Sequence, residues 1–132
     1  MNLKIALVTD LHFGPEARFA GKLRKLTAQA GELARAFVAR MNDVVKPDLV
    51  VNLGDDIEDE SREVDLARYA EAVGVLRGCR AELVNVAGNH DLINLGADDL
   101  LAVWDRDPGG PLYASFDRAG IHFVALHTRE RK

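Results

Sequence analysis

The sequence predicts an α/β fold in which a mostly parallel β-α-β-α-β core is followed by a C-terminal β-hairpin. Three short apolar runs alternate with two longer stretches in which apolar residues recur at every third or fourth position. Such alternation is typical of parallel strands joined by helical crossovers. Two further apolar runs flank a turn-forming segment near the C-terminus, as in a hairpin. The length suffices for one domain, so we expect a single domain over residues 1–132.

The first predicted strand covers residues 4–8, and its lack of polar alternation suits a strand that is buried on both faces. A loop with Gly14 and Pro15 follows. The first helix is predicted from a stripe at helical spacing that contains Leu23, Leu26, Ala30, Leu33, Phe37, Met41 and Val44. We expect this helix to stop at residues 46–48, because Pro47 cannot continue a helix interior.

The second strand is predicted over residues 49–53 and leads directly into Gly54. The next helix is indicated by an apolar stripe of Leu66, Tyr69, Val73 and Leu76, with Gly78 at its end. The remaining predicted elements are a strand (83–86), a short helix (100–104), a loop (107–110) and a hairpin (112–116 and 121–126 around 117–120).

Composition and charge exclude several classes of function. The net charge of −4 provides no broad basic surface for nucleic acid, and the cluster of Lys22, Arg24 and Lys25 is interpreted as a solvated helix face. The chain has no apolar run of ~18 residues and no signal-peptide pattern, so we expect no membrane association and a cytoplasmic location. The single cysteine, Cys79, cannot form an internal disulfide and is interpreted as a helix-to-strand connector.

Each of the three predicted parallel strands ends in polar residues that could bind a metal. The segments are Asp10-Leu11-His12, Gly54-Asp55-Asp56 and Gly88-Asn89-His90-Asp91. Because the carboxyl ends of parallel strands share one edge of the sheet, we expect the three segments to converge on one pocket. Carboxylate and imidazole ligands together suit manganese, iron, zinc or magnesium.

These motifs resemble those of the calcineurin-like metallophosphoesterases, whose pattern is Asp-x-His, then Gly-Asp, then Gly-Asn-His-Asp/Glu. The resemblance covers nearly the whole chain and implies a partial αββα sandwich. It also implies two divalent cations and a phosphate-ester substrate. The implied reaction is hydrolysis of a phosphomonoester or phosphodiester by a metal-bound hydroxide.

The resemblance implies a role for each motif residue. Asp10 and His12 would hold the first metal, Asp55 would bridge both metals, and Asn89 would hold the second. His90 would contact the phosphate or protonate the leaving oxygen, as a catalytic residue rather than a ligand. Asp91 would be the second catalytic residue and orient the His90 ring.

The chain departs from the family in lacking the later histidine motifs, the last of which is usually Gly-His-x-His. The histidines after the third motif are His122, interpreted as a strand residue, and His127, interpreted as structural or solvated, with a substitute ligand as the alternative. We therefore expect the first metal to be held and the second to be weak or absent unless another chain contributes ligands.

The missing motifs lead to further expectations. We expect the domain to be truncated at its C-terminus and to self-associate through an exposed sheet face, as a possible homo-oligomer. The segments 13–23 and 58–60 are candidates for the rim of the pocket. The main alternative function is a non-catalytic metal-binding module. A Rossmann-type nucleotide binder is disfavoured, because residues 10–14 lack the Gly-x-Gly-x-x-Gly pattern after the first strand.

Overall fold

The computed structural model of the chain describes residues 2–127. Three of its strands form a parallel sheet, and the other four form two antiparallel hairpins. In chain order, the elements are β1 (Ile5–Val8), β2 (Ala17–Phe19), β3 (Lys22–Lys25), α1 (Ala30–Arg40), β4 (Leu49–Asn52), α2 (Arg62–Leu76), β5 (Glu82–Asn85), α3 (Ala97–Val103), β6 (Ala114–Arg118) and β7 (Ile121–Ala125).

The parallel sheet has the order β1-β4-β5, which confirms the predicted β-α-β-α-β core. Within it, Ile5 lies opposite Leu49, and Leu49 lies opposite Glu82. The central strand β4 is the most buried, since both Leu49 and Val50 are inaccessible to solvent. This arrangement brings the carboxyl ends of β1, β4 and β5 to the same edge.

Two apolar clusters hold the helices in place. The larger one joins α1, α2 and α3 and includes a buried hydrogen bond of 2.9 Å from the Trp104 Nε1–H to the Tyr69 hydroxyl. The smaller one packs Met41 and Cys79 against Val50 on one face of the sheet. Cys79 lies buried between α2 and β5, as expected for a connector residue.

The predicted N-terminal part of the first helix is wrong. Leu23 lies in β3, which pairs with β2 around a turn at Ala20 and Gly21, and α1 begins only at Ala30. Both turn residues have positive φ values, 50° and 75°, as in a two-residue hairpin loop of type I′. Lys22, Arg24 and Lys25 therefore lie on or at the end of a strand, and not on a solvated helix face.

The C-terminal part of that helix matches the prediction more closely. Ala30, Ala34 and Met41 are buried, whereas Leu33 is 53% exposed. After α1 the chain continues through one wide turn of π-helix (Met41–Val45), which closes when the Lys46 N–H bonds to the Met41 carbonyl at 2.7 Å. The turn ends at Val45, with Lys46 as its cap, in agreement with the predicted stop at residues 46–48.

One face of β1 remains open. Leu7 is 64% exposed and Ile5 39% exposed, so the expectation that this strand is buried on both faces is wrong for the described residues. The alternating side chains Ala6 and Val8 pack on the smaller cluster. Self-association through the open face stays a prediction.

The C-terminal hairpin is confirmed, but its loop is shorter than predicted. β6 and β7 pair from Ala114↔Ala125 to Arg118↔Ile121, leaving only Ala119 and Gly120 in the turn. Within residues 2–127, no helix combines the length and the apolar character that crossing a bilayer requires.

Candidate metal centre

The first two motifs remain paired beyond the ends of their strands. The Asp10 N–H donates to the Gly54 carbonyl at 2.9 Å, and the His12 N–H donates to the Asp55 carbonyl at 3.1 Å. The loops that follow β1 and β4 therefore run side by side at the carboxyl edge of the sheet. This pairing brings together residues that lie more than forty positions apart in sequence.

Three of the residues that we predicted to be metal ligands have left-handed backbone conformations. Asp10 has a φ of 57°, His12 of 48° and Asp55 of 56°. Such conformations are uncommon for residues other than glycine, and they persist where surrounding structure enforces them. Gly54 also has a positive φ, 90°, and a Cβ there would lie 2.2 Å from the Gly88 nitrogen. Glycine is therefore required where the second and third motifs meet.

Asp10, His12 and Asp55 lie together in space. Each offers one ligand atom, and these atoms all lie within 4.8 Å of one another. Three ligand atoms that are evenly spaced around one ion, with bonds of about 2.0–2.2 Å, lie at most about 3.8 Å from one another. The limit of 4.8 Å is wider, so the three side chains would draw together by up to about an ångström around a cation. Two carboxylates and one imidazole form a ligand set that suits a divalent transition metal or magnesium.

Asp10 is kept ionised by its neighbours. The Thr9 hydroxyl donates to Asp10 Oδ2 at 2.6 Å, and this hydrogen bond lowers the pKa of Asp10, with smaller contributions from His12 and Lys25. His12 is only 6% exposed, and its Nε2 lies 3.4 Å from Asp10 Oδ1. The Asp10 and His12 side chains therefore lie next to each other in the site.

The third motif packs directly on Asp55. The His90 N–H donates to Asp55 Oδ1 at 3.0 Å, and a Cβ on Gly88 would lie 2.1 Å from the same oxygen. Asn89 lies between these two contacts and is exposed. The order of the chain thus puts Asn89 next to Asp55, the residue that the resemblance assigns to both metals.

The expected role of Asp91 needs correction. Asp91 is fully buried, and its carboxylate accepts hydrogen bonds from the backbone N–H groups of Asp55 (2.9 Å), Asp56 (2.8 Å) and Gly88 (2.9 Å). These contacts connect the second motif to the third. The carboxylate therefore holds the loops together, because both of its oxygens are occupied by backbone donors.

The His90 ring is oriented by Asp59 instead. Asp59 Oδ1 lies 2.6 Å from His90 Nδ1, and both side chains are about a quarter exposed. The His90 and His12 rings meet edge to face, with centroids 5.0 Å apart. A carboxylate on Nδ1 leaves Nε2 of His90 available at the site.

A second buried aspartate lies under the site. Burial, the nearby Asp91 charge and the Asp55 charge raise the pKa of Asp56 to about 8, although a hydrogen bond of 2.7 Å from the Asn52 side-chain amide opposes the shift. Asp56 Oδ1 has no hydrogen-bond partner among the described residues. Burial raises the pKa of Asp91 as well, but three backbone N–H donors oppose that shift, so we place the proton of this pair on Asp56.

Sequence reasoning missed the interactions of Glu58 and Lys25. Glu58 was expected only at the rim, but its Oε2 lies 3.1 Å from His12 Nδ1 and 2.8 Å from Lys25 Nζ. The sequence signal that could have indicated the contact between Glu58 and His12 is Gly14, two residues after His12. Its lack of a side chain leaves room for Glu58 to approach.

The two later histidines lie outside the ligand groups found among residues 2–127. His122 is a residue of β7, as expected, and its Nδ1 lies 2.9 Å from Asp117 Oδ1. His127 follows β7 and is half-buried.

The sequence and the fold both match known proteins. Residues 3–129 match the calcineurin-like phosphoesterase family. The structure is similar to a solved dimetal phosphatase from Danio rerio, with a TM-score of 0.63, 20% sequence identity and coverage of 76% of this chain. The match covers 33% of that phosphatase, so this chain spans about a third of its length. The comparison with curated proteins gave no match.

Proposed function

This chain belongs to the calcineurin-like phosphoesterase family, and we propose that it hydrolyses phosphate esters at the edge of its parallel sheet. The observation that carries the proposal is the convergence of Asp10, His12 and Asp55, whose ligand atoms lie within 4.8 Å of one another. The left-handed backbones of the same three residues support it, because strain of this kind concentrates at functional sites.

We infer that Asp10, His12 and Asp55 hold one divalent cation. Such a cation supplies Lewis-acid polarisation of the phosphoryl group and makes water acidic enough to act as a nucleophile near neutral pH. Asp55 Oδ1 accepts the His90 N–H, so the loop that carries His90 also fixes the orientation of this carboxylate. Manganese is our first choice for testing, since carboxylate and imidazole ligands suit it.

His90 is proposed as the residue that contacts the phosphate or protonates the leaving oxygen. Asp59 on Nδ1 fixes the ring so that Nε2 is presented to the substrate. Asp91 is proposed as a positioning residue, because it holds the loops that carry both Asp55 and His90.

The second cation is proposed to be weak. Of its implied ligands, the described residues provide Asp55 and the exposed Asn89, one shared carboxylate and one neutral amide. Two such ligands bind a divalent ion poorly compared with the three or four of ordinary sites. Further ligands from another chain would complete this half of the site.

The organic part of the ester has a candidate location beside the ligands. A hollow of about 410 Å³ opens next to Asp10 and His12, and it is walled by the half-exposed leucines Leu26 and Leu33, with Lys25 at its edge. An apolar wall next to a metal site suits an aryl or other apolar leaving group. The ammonium of Lys25 suits the anionic phosphate.

Hydrolysis of p-nitrophenyl phosphate and bis(p-nitrophenyl) phosphate with added Mn²⁺ tests the proposal. We expect release of p-nitrophenol by the wild-type chain and loss of activity to background in Asp55→Asn. The matched control is Asp56→Asn, which changes a neighbouring aspartate that is protonated near neutral pH. Wild-type activity at background with both esters contradicts an active phosphoesterase.

A non-catalytic metal-binding module is the second candidate. The incomplete second half-site favours it, because Asp55 and Asn89 are its only implied ligands among residues 2–127. Tight Mn²⁺ binding together with background hydrolysis would support this module over the enzyme.

A further inference from the structure

The loops after β1 and β4 hold Glu58 beside His12. Phe13 and Ile57 form a parallel bridge, and both side chains are buried. The Phe13 N–H donates to the Asp56 carbonyl at 2.7 Å, and the Glu58 N–H donates to the Phe13 carbonyl at 3.0 Å. Backbone hydrogen bonds therefore hold Glu58 beside Phe13, the residue that follows His12.

Gly14 allows this close approach. A Cβ at Gly14 would lie 2.8 Å from Glu58 Cβ, closer than carbon atoms tolerate. Any larger residue would push Glu58 away from His12. The φ of Gly14 is not in the left-handed region, so the need for glycine here comes from contact alone.

Glu58 is the centre of a three-membered charge arrangement. Its Oε2 lies 3.1 Å from His12 Nδ1 and 2.8 Å from Lys25 Nζ, while Lys25 Nζ lies 3.4 Å from His12 Nδ1. Lys25 could donate to Nδ1 only if His12 carried its hydrogen on Nε2. That tautomer would place the Nδ1 lone pair 3.1 Å from the Glu58 carboxylate oxygen, and the two would repel each other. The hydrogen is therefore assigned to Nδ1, where it faces Glu58 Oε2, and Lys25 donates to Glu58.

The opposite ring nitrogen then has a free lone pair. His12 Nε2 faces Asp10, with 3.4 Å between Nε2 and Asp10 Oδ1, and belongs to the cluster formed with Asp55. In metal sites, a carboxylate on the second nitrogen of a histidine fixes the tautomer and raises the basicity of the ligand nitrogen.

We propose that Glu58, anchored by Lys25, is a positioning residue that presents His12 Nε2 to the cation. This inference rests on the proposed function, since it concerns the same metal. It assigns a role to two residues that lie outside the three motifs. Lys25 comes from the end of the β2–β3 hairpin, so the hairpin contributes to the metal site through Glu58.

Glu58 itself could serve as a ligand in a different site, because ligand atoms of His12, Glu58 and His90 also lie within 4.8 Å of one another. Two contacts disfavour a cation there. Lys25 Nζ occupies the position next to Glu58 Oε2, and Asp59 already binds Nδ1 of His90. A cation would have to displace an ammonium from its carboxylate.

The test compares Glu58→Ala and Glu58→Gln with Glu60→Ala. Glu60 lies on the same loop, is 54% exposed and pairs with Arg68, so its removal takes the same charge from the region without touching His12. The first measurement is the dissociation constant for Mn²⁺, by calorimetry. The second is the tautomer of His12 in the metal-free protein, from ¹⁵N NMR of the imidazole.

We expect Glu58→Ala to raise the Mn²⁺ dissociation constant by about 10- to 100-fold, the usual effect of losing such a partner. Glu58→Gln, which keeps an acceptor oxygen, should fall between it and the wild type. Glu60→Ala should remain within about twofold of the wild type, as expected for an exposed charge. The His12 spectrum should change from the Nδ1–H form to a mixture in Glu58→Ala alone.

Unchanged affinity and unchanged tautomer in Glu58→Ala and Glu58→Gln would overturn the inference. Equal losses in Glu58→Ala and Glu60→Ala would also overturn it, since charge alone would then be the cause. Tighter Mn²⁺ binding after Lys25→Met, with Glu58 still required, would identify Glu58 as a direct ligand and overturn the positioning role. None of these readouts uses hydrolysis, so an inactive chain with the expected binding differences would contradict only the proposed function.

Discussion

Asp59 and Asp91 have different roles around His90. Asp59 contacts the ring at 2.6 Å, whereas Asp91 lies beneath the loop and accepts three backbone hydrogen bonds. One residue thus acts on the side chain and the other on the backbone that carries it. Their substitutions should differ accordingly in activity and in stability.

We predict that Asp59→Asn lowers kcat about tenfold or more, but less than His90→Ala, with an unchanged free energy of unfolding. Loss of a proton-transfer group typically costs about 10²–10⁴ in rate, and loss of its orienting partner costs less. Steady-state kinetics with p-nitrophenyl phosphate and urea unfolding provide the two measurements. An unchanged kcat in Asp59→Asn would contradict the role of this carboxylate.

Asp91→Ala is predicted to act mainly on stability. It leaves three backbone donors without their acceptor, and each buried unpaired donor costs about 1–3 kcal/mol. We expect the free energy of unfolding to fall by roughly 3 kcal/mol or more in urea unfolding. A change in the free energy of unfolding within about 0.5 kcal/mol, the range of ordinary surface substitutions, would contradict the proposal that Asp91 holds the loops together.

Asp56 makes stability depend on pH in the metal-free protein. Its folded pKa of about 8 lies above the ordinary value of 3.8, so the folded state keeps a proton that the unfolded state releases. The stability contribution of this proton is fully present below about pH 4 and is lost as pH rises through 8. Asp56→Asn should abolish this loss of stability at high pH, because the amide stays neutral at every pH and has no proton to release.

Urea unfolding in the presence of a chelator at pH 4.5 and pH 8 measures this effect. We expect Asp56→Asn to be clearly more stable than the wild type at pH 8 and close to it at pH 4.5. An equal difference at both pH values would show that Asp56 does not titrate in this range.

At the scale of elements, the two hairpins share one turn design. Each has an Ala-Gly loop in which both residues have positive φ, at Ala20-Gly21 and at Ala119-Gly120. Alanine is strained in this conformation, whereas asparagine accepts it. Both turns therefore form, but the alanine in each turn carries conformational strain that asparagine would relieve.

Ala119→Asn is predicted to stabilise the C-terminal hairpin by about 0.5–1 kcal/mol through relief of this strain. The measurement is amide hydrogen exchange in β6 and β7, which should slow by roughly two- to fivefold. Ala102→Asn on the exposed side of α3 is the matched control and should be slightly destabilising, because asparagine is a poorer helix former. Faster exchange in Ala119→Asn would contradict the turn assignment.

The same turn explains where sequence reasoning failed. The spacing of Leu23, Leu26, Ala30 and Leu33 fits a helix, but Ala20-Gly21 turns the chain and lets β2 pair with β3. The hairpin at Ala119-Gly120 was predicted because apolar runs flank it, while the first hairpin carries charged residues on β3. Periodicity alone could not choose between a helix and a short polar hairpin.

The site was predictable where it depended on backbone topology. Parallel strands bring Asp10, His12 and Asp55 to one edge, and the motifs at the strand ends indicated this convergence. The pairing of His90 with Asp59 and of His12 with Glu58 depends on side chains that meet across loops 31 and 46 residues apart in sequence. Both loops contain neighbouring carboxylates that could equally well have paired with these histidines. The sequence alone therefore could not identify Asp59 and Glu58 as the partners.

At the scale of the whole molecule, the chain is a partial version of its fold. It spans about a third of the length of the Danio rerio dimetal phosphatase that it resembles. Leu7 on the open face of the sheet is 64% exposed, which is unusual for a strand of a parallel sheet. Light scattering over a range of concentrations tests the predicted self-association, and a monomer at every concentration would contradict it.

The number of metal ions held by each chain tests the proposed site most directly. Calorimetric titration of Mn²⁺ into the metal-free wild type should show one tightly held ion and, at most, a much weaker second one. Asp55→Asn should lose the tight ion, and Asp56→Asn should keep it. Two tightly held ions, no binding by the wild type, or tight binding that survives Asp55→Asn would each contradict a site built on Asp10, His12 and Asp55.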